Sequence, residues 1–156
     1  MYEMWKRGDA LMADVFYVDT VTIWNKYVDG IWEKEIWLPT LIENARLLVS
    51  RGNNIQNSGN SSADSARLHI SDMESNAKKP YIDPAQWNAM TPDEKERYFT
   101  LESENNSFFV EGDCTGVKAS EHESFFEYMK NSYQNCFRIT SVDRFEIIPH
   151  FEVWGK

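Results

Sequence analysis

Five side chains in this sequence are able to hold a soft or borderline metal ion: Cys114, Cys136, His69, His122 and His150. A structural zinc site draws such residues from close pairs, CxxC or HxxxH, because one turn or one helix then aims both donors at a single ion. None of the five falls in either spacing, so no metal and no cofactor is expected. Cys136 closes an apolar stripe, where a thiol acts as a small buried hydrophobe. His150 follows Pro149 at a strand start, where a satisfied structural imidazole is the expectation.

Carboxylates come next. Asp93, Glu94, Glu96, Glu102 and Glu104 crowd one segment but interleave with Lys95 and Arg97, the pattern of a solvated helix face rather than of a buried acid and base. A serine nucleophile would call for a GxSxG elbow and a cysteine nucleophile for a histidine beside it; neither is in the sequence. No glycine-rich loop precedes a helix to cradle phosphate. The expectation is a protein that is not an enzyme, with no catalytic residues.

The remaining distinctive residues are six tryptophans, Trp5, Trp24, Trp32, Trp37, Trp87 and Trp154. Most must serve a core. Trp32 and Trp37 fall on opposite faces of one strand if its pleat is regular, so one of them should be exposed or buried in a partner. The terminal FEVW needs a place in a sheet.

The elements that position these residues read mainly as strands. VFYVDTVTIWNKYV, from Val15, is rich in β-branched and aromatic residues and alternates. Asp29-Gly30 is a hairpin signal, since a type I′ turn needs positive φ at its centre. IWEKEIWLPTLIENARLLVS follows as a second strand; Pro39 removes a ladder donor, so the strand bends there or lies at an edge. Residues 51–64, RGNNIQNSGNSSAD, are nearly all small and polar and read as a long, mobile surface loop. ARLHIS is a third strand, alternating Leu68 and Ile70 against Arg67 and His69.

Thr91-Pro92-Asp93-Glu94 is a helix start: an N-cap, a proline at the first helical position and a carboxylate able to reach back to the cap amide. Trp87 before this short helix, and Tyr98 and Phe99 after it, pin it to apolar surface as a plug between strands. FFVEGD is a strand ending in a Gly112-Asp113 turn. Ser120-xx-Glu123 opens a second helix, with Phe125, Met129 and Tyr133 on one face. FRITSVDRFEII and HFEVWGK, split by Pro149, close the chain. A tight turn between the first two strands argues against parallel crossovers. The fold class expected is mainly β (α+β), a small antiparallel barrel or sandwich with two inserted helices. Residues 1–14 read as an arm or short helix and residues 15–156 as a single domain.

At 156 residues, 42% hydrophobic and 14% aromatic, the chain has the material for one core. A net charge of −9 disfavours broad contact with phosphate backbones. No window approaches the run of about 18 apolar residues that crosses a bilayer, and two cysteines without a basic-then-apolar leader suggest neither secretion nor a disulfide framework.

Three blocks, TVTIWNKYVDGIWEKEIW, YIDPAQWNAMTPDEKERYFTLESENNSFFVEGD and RITSVDRFEIIPHFEVWGK, spread in order over most of the chain. Together they resemble small proteins from the head-morphogenesis region of tailed phages and prophages of Gram-positive bacteria, of the head-completion or head-tail connector type. The resemblance implies a β-barrel with a long loop and one or more helices, assembled as a ring beneath the portal. A helix as long as residues 120–136 departs from the simplest connector barrel. The implied partners are portal, adaptor and tail-proximal proteins, with DNA only as passing cargo and no membrane. The implied location is the virion, or the host cytoplasm during assembly. Candidate interface residues are Trp5, Leu11, Trp32, Trp37, Asn53, Asn54, Ile55 and Trp154. The competing reading is a phage-encoded acidic inhibitor that blocks a basic, nucleic-acid-binding groove, which would require acidic residues gathered on one exposed face.

Overall fold

The computed structural model describes residues 17–56, 59–62 and 64–156, with backbone alone over 53–62. Trp5, Leu11 and the question of an arm or a helix at 1–14 lie outside the described residues. The chain runs β1 (Asp19–Asp29), β2 (Lys34–Ser50), β3 (Asn53–Gln56), β4 (Gly59–Ser62), β5 (Ser65–Ser71) and α1 (Met73–Asn76). It continues through α2 (Pro84–Asn88), α3 (Pro92–Arg97), β6 (Phe108–Glu111), a 3₁₀ turn at Ala119–Glu121, α4 (Phe125–Ser132), β7 (Cys136–Phe145) and β8 (His150–Gly155).

Six strands close a barrel in the order β1-β2-β5-β8-β7-β6, every neighbour antiparallel. Closure depends on two long strands that each serve two partners. β2 pairs with β1 up to Ala45 and with β5 from Arg46. β7 pairs with β6 as far as Arg138 and with β8 from Ile139. A register shift marks each change of partner, at Asp19/Val21 against β2 and at Ile139/Ser141 against β8. Bulges of this kind let a strand turn a corner from one sheet to the next. In β2 the corner falls at Asn44, whose φ is 53°, a left-handed conformation that asparagine accepts more readily than most residues. Pro39 sits where β2 is paired with β1 alone, so the edge reading of that proline holds.

The barrel interior is filled by the alternate residues of these strands, among them Val21, Ile23, Leu68, Ile70, Phe109, Phe137 and Val153. β1 reads as an unbroken buried run from Val21 to Asn25 because both its faces are covered. Outward-facing Trp24, with Phe108 and Val110, packs beneath Phe125, Phe126 and Met129 of α4, forming a second core on the outside of the barrel wall. The Trp24 and Phe125 rings meet edge to face at 4.7 Å, a favoured aromatic geometry.

The connection from β5 to β6 plugs one end. Thr91 caps α3 through its hydroxyl, which accepts from the Glu94 N–H at 3.3 Å; the Glu94 carboxylate meets that hydroxyl at 3.2 Å rather than the Thr91 amide. Past the helix, Phe99 and Leu101 enter the barrel core. Asn25 fastens the segment: its Nδ2 donates to Thr100 O at 2.9 Å and to Ser107 Oγ at 3.2 Å, and its Oδ1 accepts from Thr100 N–H at 3.2 Å. Lys95 departs from the solvated-face reading. It is buried, donating to Asn88 O and Met90 O at 3.3 and 2.9 Å above the rings of Tyr27 and Trp87.

Four further expectations are corrected. The β1–β2 turn is not a two-residue turn on Asp29-Gly30: it spans residues 30–33, its left-handed residue is Glu33 (φ 51°), and Asp29 Oδ1 accepts the Ile31 N–H at 3.0 Å. An aspartate closing its own turn this way relieves the glycine of that task. Residues 51–64 are not a structureless loop but carry the β3–β4 hairpin, clamped at its base by an Arg51–Asp64 ion pair at 2.8 Å and by Gly52 N–H donating to Asp64 Oδ1 at 3.1 Å. Composition missed it because backbone pairing needs no apolar side chain. The helix expected from Ser120 starts at Phe125 after a separate 3₁₀ turn, and its N-cap, Ser124, makes no side-chain cap bond. Cys136 closes no helical stripe: it begins β7, buried against α4.

Candidate functional site

The protrusions of a closed barrel are where its unspent side chains lie. β1 and β7 run in the same direction, each antiparallel to β6, so the β1–β2 and β7–β8 turns emerge at the same end of the barrel. The first carries Ile31 and Trp32, 82% and 79% exposed. The second carries Ile147 and Ile148, 99% and 77% exposed, with Phe145 at its base. β2 runs the opposite way, so the β3–β4 hairpin that follows it leaves from the other end.

The candidate interface residues therefore separate. Trp32 sits at a tip rather than on a strand face. Trp37 is half-buried against Phe108 and Phe125, ring centroids 5.2 and 5.6 Å away, with the Lys26 ammonium 5.8 Å from its ring. Trp154 lies on the outer face of β8 beneath the Arg67 guanidinium at 5.1 Å. Asn53, Asn54 and Ile55 pair with Ser62, Ser61 and Asn60 in the β3–β4 hairpin. Sequence reading passed over Ile31, Ile147 and Ile148; an apolar pair inside a turn, next to Gly30 in one case and before Pro149 in the other, was the signal.

A groove of about 560 Å³ runs between the plug and the β7–β8 hairpin, lined by Tyr81, Asp83, Leu101, Glu102, Arg144 and Phe151. Its charged groups answer one another. Arg144 reaches Asp83 at 3.8 Å and lies over the Phe151 ring. Burial pushes the Glu102 carboxyl above the ordinary carboxylate range, against the Ser107 hydroxyl, which donates to it at 3.0 Å. Both cysteines are free and buried. Burial raises both thiols, Cys136 to about 12, which disfavours the thiolate form.

On the outer wall, β5 and β8 bring together three residues of ligating type, His69, His150 and Glu152, their donor atoms all within 4.8 Å of one another. Helical and CxxC spacings do not reveal this set. Its signal is the strand period: His150-x-Glu152 places two donors on one face, and His69 stands opposite Glu152.

Residues 16–156 match the model of a family of unknown function, DUF6751. The chain belongs to that family. No curated protein and no solved structure matches it. In this DUF6751 chain the matched stretch spans every described element: barrel, plug, both apolar tips, the β3–β4 hairpin and the histidine–glutamate set. Among the described residues no helix is long and apolar enough to cross a membrane.

Proposed function

We propose that this DUF6751 protein is a non-enzymatic structural component of a tailed-phage or prophage particle, a head-tail connector or head-completion protein that works through ring-type subunit contacts. The observation that carries the reading is the pair of exposed apolar turns at one end of a closed barrel. Closure pairs each strand with two neighbours, and Pro39 interrupts the part of β2 that is paired with β1 alone, so neighbours are engaged by what protrudes. Burying a side chain such as Trp32 or Ile147 in a partner is worth about 1.5–3 kcal/mol each, while in the lone subunit they remain in water. Protrusions of different chemistry at the two ends, apolar turns at one and an Asn/Gly/Ser hairpin at the other, suit heterologous contacts, which close into rings. The net charge of −9 suits a lumen through which DNA passes without adhering.

The test is affinity capture of the tagged protein from a phage-producing lysate, with negative-stain imaging of what co-purifies. Portal, adaptor or tail components should be recovered with the unaltered chain and lost with Trp32→Ser or on deletion of residues 51–64. Recovery of a host nucleic-acid-binding protein with no virion protein would replace this reading with that of an acidic inhibitor.

A further inference from the structure

The His69, His150 and Glu152 set occupies the outer face of the barrel wall. Along β8, Phe151 and Val153 point into the core while His150 and Glu152 point out; along β5, Leu68 and Ile70 point in while His69 points out. His69 is the direct cross-strand neighbour of Glu152, and facing pairs in an antiparallel sheet hold their Cβ atoms about 4.5–5.5 Å apart. Three donors thus share one patch without any help from a loop. All three side chains are about one-fifth exposed or less, open enough for an ion to enter and covered enough to hold their rotamers.

The distances fit coordination better than hydrogen bonding. His69 Nδ1 and His150 Nε2 each lie 3.6 Å from the same oxygen, Glu152 Oε1, beyond the usual hydrogen-bond range. Ligands about 2.0–2.1 Å from a tetrahedral zinc ion stand roughly 3.3 Å from one another. The three donors lie within 4.8 Å of one another and would draw together to that spacing on an ion.

Orientation supplies a second argument. His150 Nδ1 is 2.7 Å from Ile148 O. A carbonyl only accepts, so the proton sits on Nδ1 and the lone pair on Nε2 faces the set. A backbone carbonyl fixing the tautomer of an imidazole from behind is the usual support of a metal-ligating histidine. The ring is also held flat against Phe145, centroids 4.5 Å apart and planes within 4°. His69 Nδ1 is the ring atom that faces Glu152, while its Nε2 is buried with no hydrogen-bond partner. The Arg67 guanidinium, on the same face, is directed at the Trp154 ring.

We propose that His69, His150 and Glu152 bind one divalent ion of the zinc type, with a water in the remaining position. Two imidazoles and a carboxylate select zinc, cobalt, nickel or copper over magnesium and calcium, which take oxygen ligands. The ion would cross-link β5 to β8 beside the β7–β8 turn and so set the direction in which Ile147 and Ile148 project. The site stands independently of the connector reading, since it rests on the barrel wall and not on any partner.

The test uses the full, untagged chain, stripped with chelator and titrated with Zn²⁺ by calorimetry and with Co²⁺ by visible absorption. One equivalent should bind, with a cobalt spectrum free of thiolate charge transfer. His150→Ala and Glu152→Gln should each weaken binding by at least about tenfold. Glu152→Gln keeps the shape of the side chain, and circular dichroism of the metal-free variants should match that of the parent. Three outcomes overturn the proposal: no binding of either ion below about 1 mM, unchanged affinity in both variants, or a thiolate band placing the ion at Cys114 or Cys136.

Discussion

The aromatic cluster beneath α4 and the two turns carrying Trp32 and Ile147 are made from the same kinds of side chain and end in opposite environments. In the cluster, Trp24, Phe108 and Phe125 are almost wholly buried; each is presented by an element with another element directly above it. At the tips, Ile31, Trp32, Ile147 and Ile148 are among the most exposed large hydrophobics described, because each strand pair there has run past the last element able to cover it. Hydrophobicity alone therefore did not decide burial. The length of a hairpin relative to the layer beside it did, and apolar side chains left beyond that layer are available for a partner.

Substitutions can break or sharpen this contrast. The largest effect is expected from Phe125→Ala, which empties the centre of the cluster between Trp24 and Phe108. It should cost about 3–5 kcal/mol in urea unfolding, and a loss below about 1 kcal/mol would mean that α4 is only loosely attached. Next is Gly155→Ala: a methyl there would stand 2.8 Å from Phe109 Cε1 and from Phe137 Cβ. Overpacking of the barrel interior should cost about 1–3 kcal/mol, read as a lowered thermal midpoint. Thr91→Ala removes the α3 cap and should cost about 1 kcal/mol, measurable in the same denaturation series. The smallest stability effect belongs to Trp32→Ser, expected within about 0.5 kcal/mol of the parent while abolishing capture of partners. A destabilisation like that of Phe125→Ala would show that the tip is folded against the barrel and erase the comparison.

Much of the barrel was legible in the residues. Alternation identified β1 and β5, strand-like runs bounded by turns and proline identified β2, β6, β7 and β8, and Thr91-Pro92 with Glu94 marked the start of α3. The β3–β4 hairpin was hidden because Asn, Gly and Ser pair through their backbones and leave no periodic apolar signal. The α4 start was misplaced because Ser120 and Glu123 form a plausible capping box, whereas the chain makes a 3₁₀ turn at Ala119–Glu121 first. Lys95 looked like a surface charge; only the arrival of Asn88 O and Met90 O from the preceding turn makes its burial tolerable, since a buried ammonium must be answered by acceptors. Trp32 and Trp37 were correctly separated into one exposed and one packed residue, although the reason, a turn rather than a pleat, lay in the four-residue loop that replaced the expected tight turn.

By itself the sequence determined which residues face together within one element, because strand period, caps and proline are properties of neighbouring residues. It determined the β-rich class, the inward face of β5 and the position of α3. The tertiary structure alone decided that the sheet closes, because closure rests on β2 changing partners between Ala45 and Arg46 and β7 between Arg138 and Ile139, a choice made by strands distant in the chain. It alone decided that both faces of β1 are buried, and that His69 stands opposite Glu152. Contacts between distant segments are chosen by packing and register together, and no local run of residues encodes them.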